Sequence, residues 1–403
     1  MIAQVAWRNV WRNKLRSGVV IASVAVGIWA ASFIISFSTG LKHRYVLTAI
    51  ETVVSHLQIH FPGYLDNPDL SKSIPHADSL VSLIKSMPEV KGVTARLLVN
   101  AMAATATNTT GAIVRGINTK DENEVTHIGE DIRTGTFLSG KNLPVLVGAS
   151  LAEKLHLRIH HKLVLTFQDA SGNITSAAFM VTGIFTTSNS TFDDNNVFVL
   201  KNDLAALLDT KDDAQEIAIL LKKDDEVDTV QARLGKIFPL LEVKNWREIA
   251  PELALTVDST NESLYLVVMI FVLALMFGII NTMMMAILER IREIGMLMAI
   301  GMNKTRLFLM IMTETLFLSF AGIPLGLLLS YITISITGRE GINLGAFSKG
   351  LSAFGFGTIV YPELNPKFYL VVALFIFCAA FFGSFYPASR ALKTNPVEAL
   401  HNA

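Results

Sequence analysis

One cysteine in 403 residues, Cys378, rules out a disulfide framework and any cysteine-based metal site. Charge is scarce as well: 17% of residues are charged, against about a quarter in ordinary soluble domains. Lys plus Arg equals Asp plus Glu, so the formal net charge is zero. No global field draws the chain to nucleic acid or to an acidic substrate. There is no internal repeat and no low-complexity tract.

Against these absences stand four apolar stretches. Arg16 and Lys42 bracket the first, Glu262 and Glu289 the second, Glu314 and Arg339 the third, Lys367 and Arg390 the fourth, with no charge inside any of them. At about 1.5 Å per residue each is long enough to cross a hydrocarbon layer of roughly 30 Å. The first apolar run far exceeds the roughly 7–15 residues of a signal-peptide core, so it is expected to be a retained anchor. The spacing of the four is uneven, which predicts four transmembrane helices with a large domain inserted after the first. The expected organisation is an amphipathic helix over 1–16, spans at 17–42, 263–288, 307–337 and 368–389, and polar segments at 43–262, 289–306, 338–367 and 390–403.

Basic residues set the orientation. Arg8, Arg12, Lys14 and Arg16 precede the first span, Arg290, Arg292, Lys304 and Arg306 separate the second and third, and Arg390 and Lys393 follow the fourth. Positive charge at helix ends favours the cytoplasm. Both termini and 289–306 are therefore expected inside, with 43–262 and 338–367 outside.

The insert reads as an α+β domain. Strands are expected at 53–61, 90–99, 112–116, 145–147, 162–167, 177–185, 197–200, 216–221 and 241–243, from β-branched and aromatic runs. Helices fit 77–87, 150–155, 203–208 and 225–237. A long stalk helix is expected from Trp246 into the second span despite Pro251.

Catalytic constellations are weak. Gly135 to Asn142 approaches P-loop spacing, but Asn142 stands where Ser or Thr would bind Mg²⁺, and a strand rather than a helix is expected to follow. A surface turn is the reading preferred. His56 and His60, with Gln58 between them, are expected on a solvated strand face, since a metal normally needs three or four ligands. Asp193 and Asp194 fit a polar turn between strands as well as a cation loop. Glu314, near the cytoplasmic end of the third span, is expected to face water or the neighbouring loop. The insert does not look like an enzyme.

The 289–306 segment is the most informative. Glu289 and Glu293 fall four residues apart, flanked by Arg290 and Arg292, as on one face of a helix. Ile294, Leu297, Met298 and Ile300 give it an apolar side. Eight of the fourteen methionines lie between Met283 and Met312, and methionine suits adaptable docking surfaces. The residues alone leave two readings open, a docking helix and a helix lying on lipid headgroups.

The segment resembles the coupling region of the FtsX-like permeases of ABC transporters, approximately E-R-x-R-E-I-G-x-x-x-A-x-G. Glu289, Arg290, Arg292, Glu293, Ile294, Gly295, Ala299 and Gly301 match it position by position. Three further stretches resemble that family: 6–16 its amphipathic pre-helix, 314–326 its small-residue helix, and 386–400 its closing P-A-x-x-A-x-x-x-x-P-x-E-A-L motif. Residues 145–155 and 179–193 are similar to the periplasmic core domain of MacB-type and lipoprotein-releasing (LolC/LolE) permeases.

The resemblance implies a non-catalytic subunit of the bacterial inner membrane, its large domain periplasmic and the eight matching residues contacting an ATPase. Trp7, Arg8, Trp11 and Arg12 would anchor the pre-helix to membrane lipids. It implies no cofactor on this chain, with ATP and Mg²⁺ on a separate ABC ATPase present in two copies. A second permease chain and a periplasmic carrier or adaptor are expected as partners. MacB carries its ATPase on the same chain ahead of its first span, whereas this sequence opens on the amphipathic helix. Lipoprotein release is therefore the expected activity, with MacB-like export of a drug, toxin or peptide as the alternative. A membrane-tethered ligand-binding sensor is the alternative of another class.

Overall fold

The computed structural model describes residues 2–12, 14–140, 142–210 and 213–392. The chain divides into two compact units, one of residues 1–42, 259–343 and 359–403, the other of 43–258 and 344–358.

The first unit holds most of four long helices: Lys14–Ala49, Pro251–Glu289, Lys304–Glu340 and Pro366–Ala391. All four are long and apolar enough to cross a membrane. Small residues let the first and third approach closely. A Cβ on Gly322 would lie 2.8 Å from Val24, and one on Gly326 would lie 2.7 Å from the Ala25 carbonyl oxygen. Close backbone approach replaces the hydrophobic drive that lipid does not supply between helices. One polar contact reinforces the pair, Trp29 Nε1 donating to Thr333 Oγ1 at 3.0 Å. Pro324 sits inside the third helix without ending it.

The second unit is built on a ten-stranded sheet: β1 Leu57–His60, β2 Val90–Ala104, β3 Thr109–Ile117, β4 Ile132–Gly135, β5 Pro144–Gly148, β6 Lys162–Gln168, β7 Ile174–Phe185, β8 Asn196–Leu200, β9 Glu216–Leu221 and β10 Glu242–Asn245. β2 is long because it serves two layers. Its first half pairs with β9, and the order β10-β1-β9-β2, with helices Ala77–Lys85 and Val227–Ile237, is the ferredoxin-like split-βαβ arrangement. Its second half pairs with β3 and β6, and the ring β2-β3-β8-β5-β7-β6 closes on itself. Closure removes edges that would invite pairing with other chains. Alternate residues fill the ring: Leu97 and Val99, Leu163 and Leu165, Phe179 and Val181 are buried there. Each such side chain contributes about 1.5–3 kcal/mol.

Several expectations change. The strand expected at 53–61 begins only at Leu57. Ile50–Val54 is a π-helical turn continuing the first span's helix, and Ile50 and Val54 pack with Val125, Ala218 and Leu220. That packing favours helix over the β-branched propensity. The stalk divides at Ala250, after the capped turn Trp246–Ile249. The expected outer loop 338–367 is not a simple connector, because Leu344–Thr358 belongs to the second unit, where Tyr45 stacks on Phe356 at 4.4 Å. Helix Thr119–Thr126 and strand β4 were not anticipated; both are too polar to show an apolar period.

His56 and His60 do not lie on a solvated face. Both are buried, since β1 is covered on both sides. His60 Nδ1 donates to the Gln215 carbonyl at 2.8 Å, and His56 Nε2 meets Asp224 at 2.8 Å. Burial lowers the His60 pKa. Asp193 and Asp194 lie on a short helix, Ser190–Asn195, rather than in a polar turn; the Asn189 side chain caps it by accepting from the Phe192 N–H. Asp193 is buried, accepts from the Thr187 N–H and hydroxyl, and is pushed up to about 7 by burial. After Gly135 the chain turns, with Leu138 at positive φ, and enters β5, so no helix N-terminus faces the would-be phosphate site. Lys141 lies outside the described residues. Among the described residues, no group of three His, Cys, Asp or Glu could hold a metal.

The candidate coupling site

The 289–306 segment is not one continuous helix. The second span's helix ends at Glu289, Arg290 leaves helical geometry at φ −111° and ψ 18°, and a new helix runs Ile291–Ala299. Glu289 and Glu293 therefore do not share the continuous helical face that their spacing suggested. The break has a use: it lets the Arg290 guanidinium reach two carboxylates. Its Nε donates to Glu293 at 3.0 Å and its Nη1 lies 3.3 Å from both oxygens of Glu314.

Glu314 is buried on the third span's helix, facing the connecting helix rather than water. A buried carboxylate is costly unless it is paired, and Arg290 supplies the counter-charge. Glu293 has a second partner, Arg12 of the helix Ile2–Arg12, at 2.5 Å. That hydrogen bond, with Arg290, holds the Glu293 carboxyl below its ordinary range, and it raises the Arg12 pKa in turn. Two arginines and two glutamates thus join three helices.

The N-terminal helix packs by its small face. Ala6 and Val10 are buried, while Trp7, Arg8, Trp11 and Arg12 are exposed. Trp7 meets Phe317 edge-on at 5.5 Å and Trp11 at 5.8 Å. Arg12 is thus engaged by a protein carboxylate, on the exposed face that also carries Trp7, Arg8 and Trp11.

The connecting helix is two-faced. Ile294 and Gly295 are buried against the spans, whereas Arg292, Met296, Ala299 and Ile300 are exposed, as is Glu289 before it. Gly301 ends the helix at φ 97°, its N–H bonding the Met298 carbonyl and the Met302 N–H bonding that of Leu297. This is a Schellman stop, in which glycine alone avoids the left-handed Cβ penalty. Asn303 then caps the third span's helix by accepting from the Thr305 N–H. Of the eight motif residues, Arg290, Glu293, Ile294 and Gly295 turn inward, and Glu289, Arg292, Ala299 and Gly301 lie at the surface. The spacing of the motif carries no sign of that division. Nor did it reveal Glu314 as the partner of Arg290, although a lone carboxylate near a span's end, opposite a basic loop, is the kind of signal that could. The closing motif, from residue 393 on, lies outside the described residues.

Residues 17–237 match the MacB-like periplasmic core domain family, and 265–396 match the FtsX-like permease C-terminal family. The chain belongs to the FtsX-like permeases with a MacB-type periplasmic core. Such permease domains are non-catalytic membrane subunits of ABC transporters. The permease is accordingly a multi-pass protein of the bacterial inner membrane, with its α+β unit in the periplasm.

The lipoprotein-releasing system transmembrane protein LolC of Neisseria meningitidis is 22% identical, over 96% of each chain. LolE of Haemophilus influenzae is 23% identical, over 94% of this chain and 91% of its own. The pyoverdine export ATP-binding/permease protein PvdT of Pseudomonas fluorescens is 23% identical, over 98% of this chain and 58% of its own length. Among solved structures, the periplasmic region of MacB from Actinobacillus actinomycetemcomitans aligns at 11% identity and a TM-score of 0.37, covering 51% of this chain.

Proposed function

We propose that the permease converts ATP hydrolysis by a separate ABC ATPase into motion of its periplasmic domain, and that the motion releases lipoproteins from the inner membrane. Two permease chains pair and two ATPase subunits, carrying ATP and Mg²⁺, dock beneath them. The exposed face of the connecting helix, Arg292, Met296, Ala299 and Ile300 with Glu289, meets the ATPase. Its inward face, through Arg290, Glu293 and Ile294, passes the displacement to the second and third spans and to the N-terminal helix. Leu266, Ile270, Leu273 and Phe277 of the second span are exposed in the single chain and suit contact with lipid or the second permease.

The observation that carries the coupling reading is the ionic network. A helix meant only to lie on headgroups has no need of a buried carboxylate on a neighbouring span. The lipoprotein-release reading rests on the matches to LolC and LolE, 22% and 23% identical over 96% and 94% of this chain. Export of a drug, toxin or peptide, or of pyoverdine, is the second reading, favoured by the 23% identity to PvdT. A periplasmic carrier fits the first and an adaptor the second.

The two separate in proteoliposomes containing the permease, its ATPase and a fluorescent triacylated lipoprotein. ATP-dependent transfer of the lipoprotein to a soluble carrier supports release. Retention of the lipoprotein, alongside ATPase activity stimulated by pyoverdine, would reverse the order of the two readings.

A further inference from the structure

In the periplasmic unit, the loop after β1, the middles of β2 and β3, and the β6–β7 turn enclose a cleft of about 640 Å³. It lies where the ferredoxin-like layer meets the closed ring. Arg115 and Tyr64 line it, each at least nine-tenths buried. Asn100, Gln168 and Ser171 give the walls polar groups, and Leu98 and Ile113 give them apolar ones.

The two buried arginines at this junction are treated differently. Arg96 is saturated. It takes Glu122 through two nitrogens, at 2.9 and 2.7 Å, and Glu216 through the third, at 2.5 Å. Burial opposes its charge, yet the two carboxylates outweigh burial and raise its pKa. Among the described residues, Arg115 has no carboxylate at hydrogen-bond distance. Its Nε donates to the neutral Asn196 side chain at 2.8 Å, its guanidinium lies over the Phe192 ring, and Glu216 stands 3.9 Å from its Nη1. Burial wins there, and its pKa falls. Tyr64 is fixed by stacking on His60 at 5.3 Å.

Two aspartates stand at the mouth, and both are tied into their own turns. Asp69 accepts from the Ser71 N–H at 2.8 Å, and Asp169 accepts from those of Ser171 and Asn173 at 2.9 and 2.8 Å. They make the rim acceptor-rich while the floor is donor-rich.

We propose that this cleft binds a ligand bearing a carboxylate or phosphate, its oxyanion seated against Arg115 and Tyr64 and an N–H donor of the ligand facing Asp69 and Asp169. An arginine fork desolvated by its pocket is suited to planar oxyanion recognition. A cleft of this size with few polar groups at one end has the form of small-molecule sites. The inference concerns the periplasmic unit alone and stands whichever transport reading holds.

The test uses the full chain in phosphatidylcholine nanodiscs and ligand-observed NMR. The probes are hippurate for the carboxylate, phenyl phosphate for the phosphate, and hippuramide as the uncharged analogue. Saturable binding of hippurate, with no binding of hippuramide, assigns the site to carboxylates; the same behaviour of phenyl phosphate assigns it to phosphates. Arg115→Gln should weaken the bound probe about tenfold or more, as expected for loss of a charge-assisted hydrogen bond.

Tyr64→Phe keeps the ring stack, and Asn100→Asp places a carboxylate on an exposed wall. Each should weaken the probe several-fold while leaving the fold intact, so the test survives if Arg115→Gln fails to fold. Equal binding of hippurate and hippuramide, or full affinity in Tyr64→Phe and Asn100→Asp, would overturn the proposal. So would no saturable signal from either anion at about 10 mM, well above the millimolar range of weak sites.

Discussion

The permease joins two glutamates to arginine in each of its units, through Arg96 in one and through Arg12 and Arg290 in the other, and the two networks differ in almost everything else. In the periplasmic unit, Arg96 and Glu122 are 1% and 0% exposed, and Glu216 completes the contacts inside a closed junction. At the 289–306 connector, Arg12 and Glu293 are 55% and 43% exposed, while Arg290 and Glu314 form the protected half. Water decides what each can do. The enclosed network cannot exchange partners without leaving a charge stranded, so it fixes where the ring meets the ferredoxin-like layer. The open one can trade a protein carboxylate for water at small cost. It can therefore let go and re-form during a cycle. Residue types alone would have called them equivalent.

The largest effect expected from breaking this contrast is in the enclosed network. Arg96→Met leaves Glu122 and Glu216 buried without their main counter-ion, which costs about 3–5 kcal/mol. Thermal unfolding and protease sensitivity of the periplasmic unit should show severe loss. A variant as stable as the parent would mean that water enters the junction.

Next comes the protected half of the open network. Arg290→Ala removes a partner from buried Glu314 and from Glu293, a loss of about 1–3 kcal/mol. Co-purification with the ATPase should persist, because the outward face is untouched, while ATP-driven transport should fall. Loss of ATPase binding with the fold intact would instead place Arg290 at the docking surface.

The smallest stability effect belongs to the exposed half. Arg12→Glu should cost about 1 kcal/mol or less, since the pair is largely solvated and screened by salt. The swap Arg12→Glu with Glu293→Arg should recover part of the transport lost in either single variant, because it restores the Arg12–Glu293 contact but not the one that Glu293 makes with Arg290. Its pH dependence has a definite sign. Glu293 is depressed in the folded chain, so its contribution is present above the ordinary carboxylate pKa and is lost as pH falls through the depressed value. Transport in the parent should therefore not lose this contact anywhere in the neutral range. Additive defects in the swap would show that the two residues do not act as a pair.

These contrasts also mark how much was legible in the sequence. Span positions followed from charge-free runs, since a bilayer demands them. Most strands of the insert followed from β-branched runs at Val145–Val147 or Glu216–Leu221. What stayed hidden depended on tertiary partners. The buried contacts of His56 and His60 are to residues far along the chain: the Leu221 N–H and Asp224 for His56, and the Gln215 carbonyl for His60. The break at Arg290 answers to Glu314, a residue one helix away. Leu344–Thr358 joins the periplasmic unit through contacts such as Tyr45 on Phe356, which no local period encodes. At the candidate coupling site the motif located the segment but could not say which of its residues turn inward.

That division is the central claim, and one measurement reaches it directly. With p-benzoylphenylalanine placed singly at Arg290, Arg292, Ile294, Met296 and Ile300, and the cognate ATPase co-expressed, photo-crosslinking reads out which face meets the partner. The account predicts ATPase adducts from positions 292, 296 and 300, with 290 and 294 capturing only the permease itself. ATPase adducts from 290 and 294 in a folded, membrane-inserted chain, with none from 296 and 300, would contradict it.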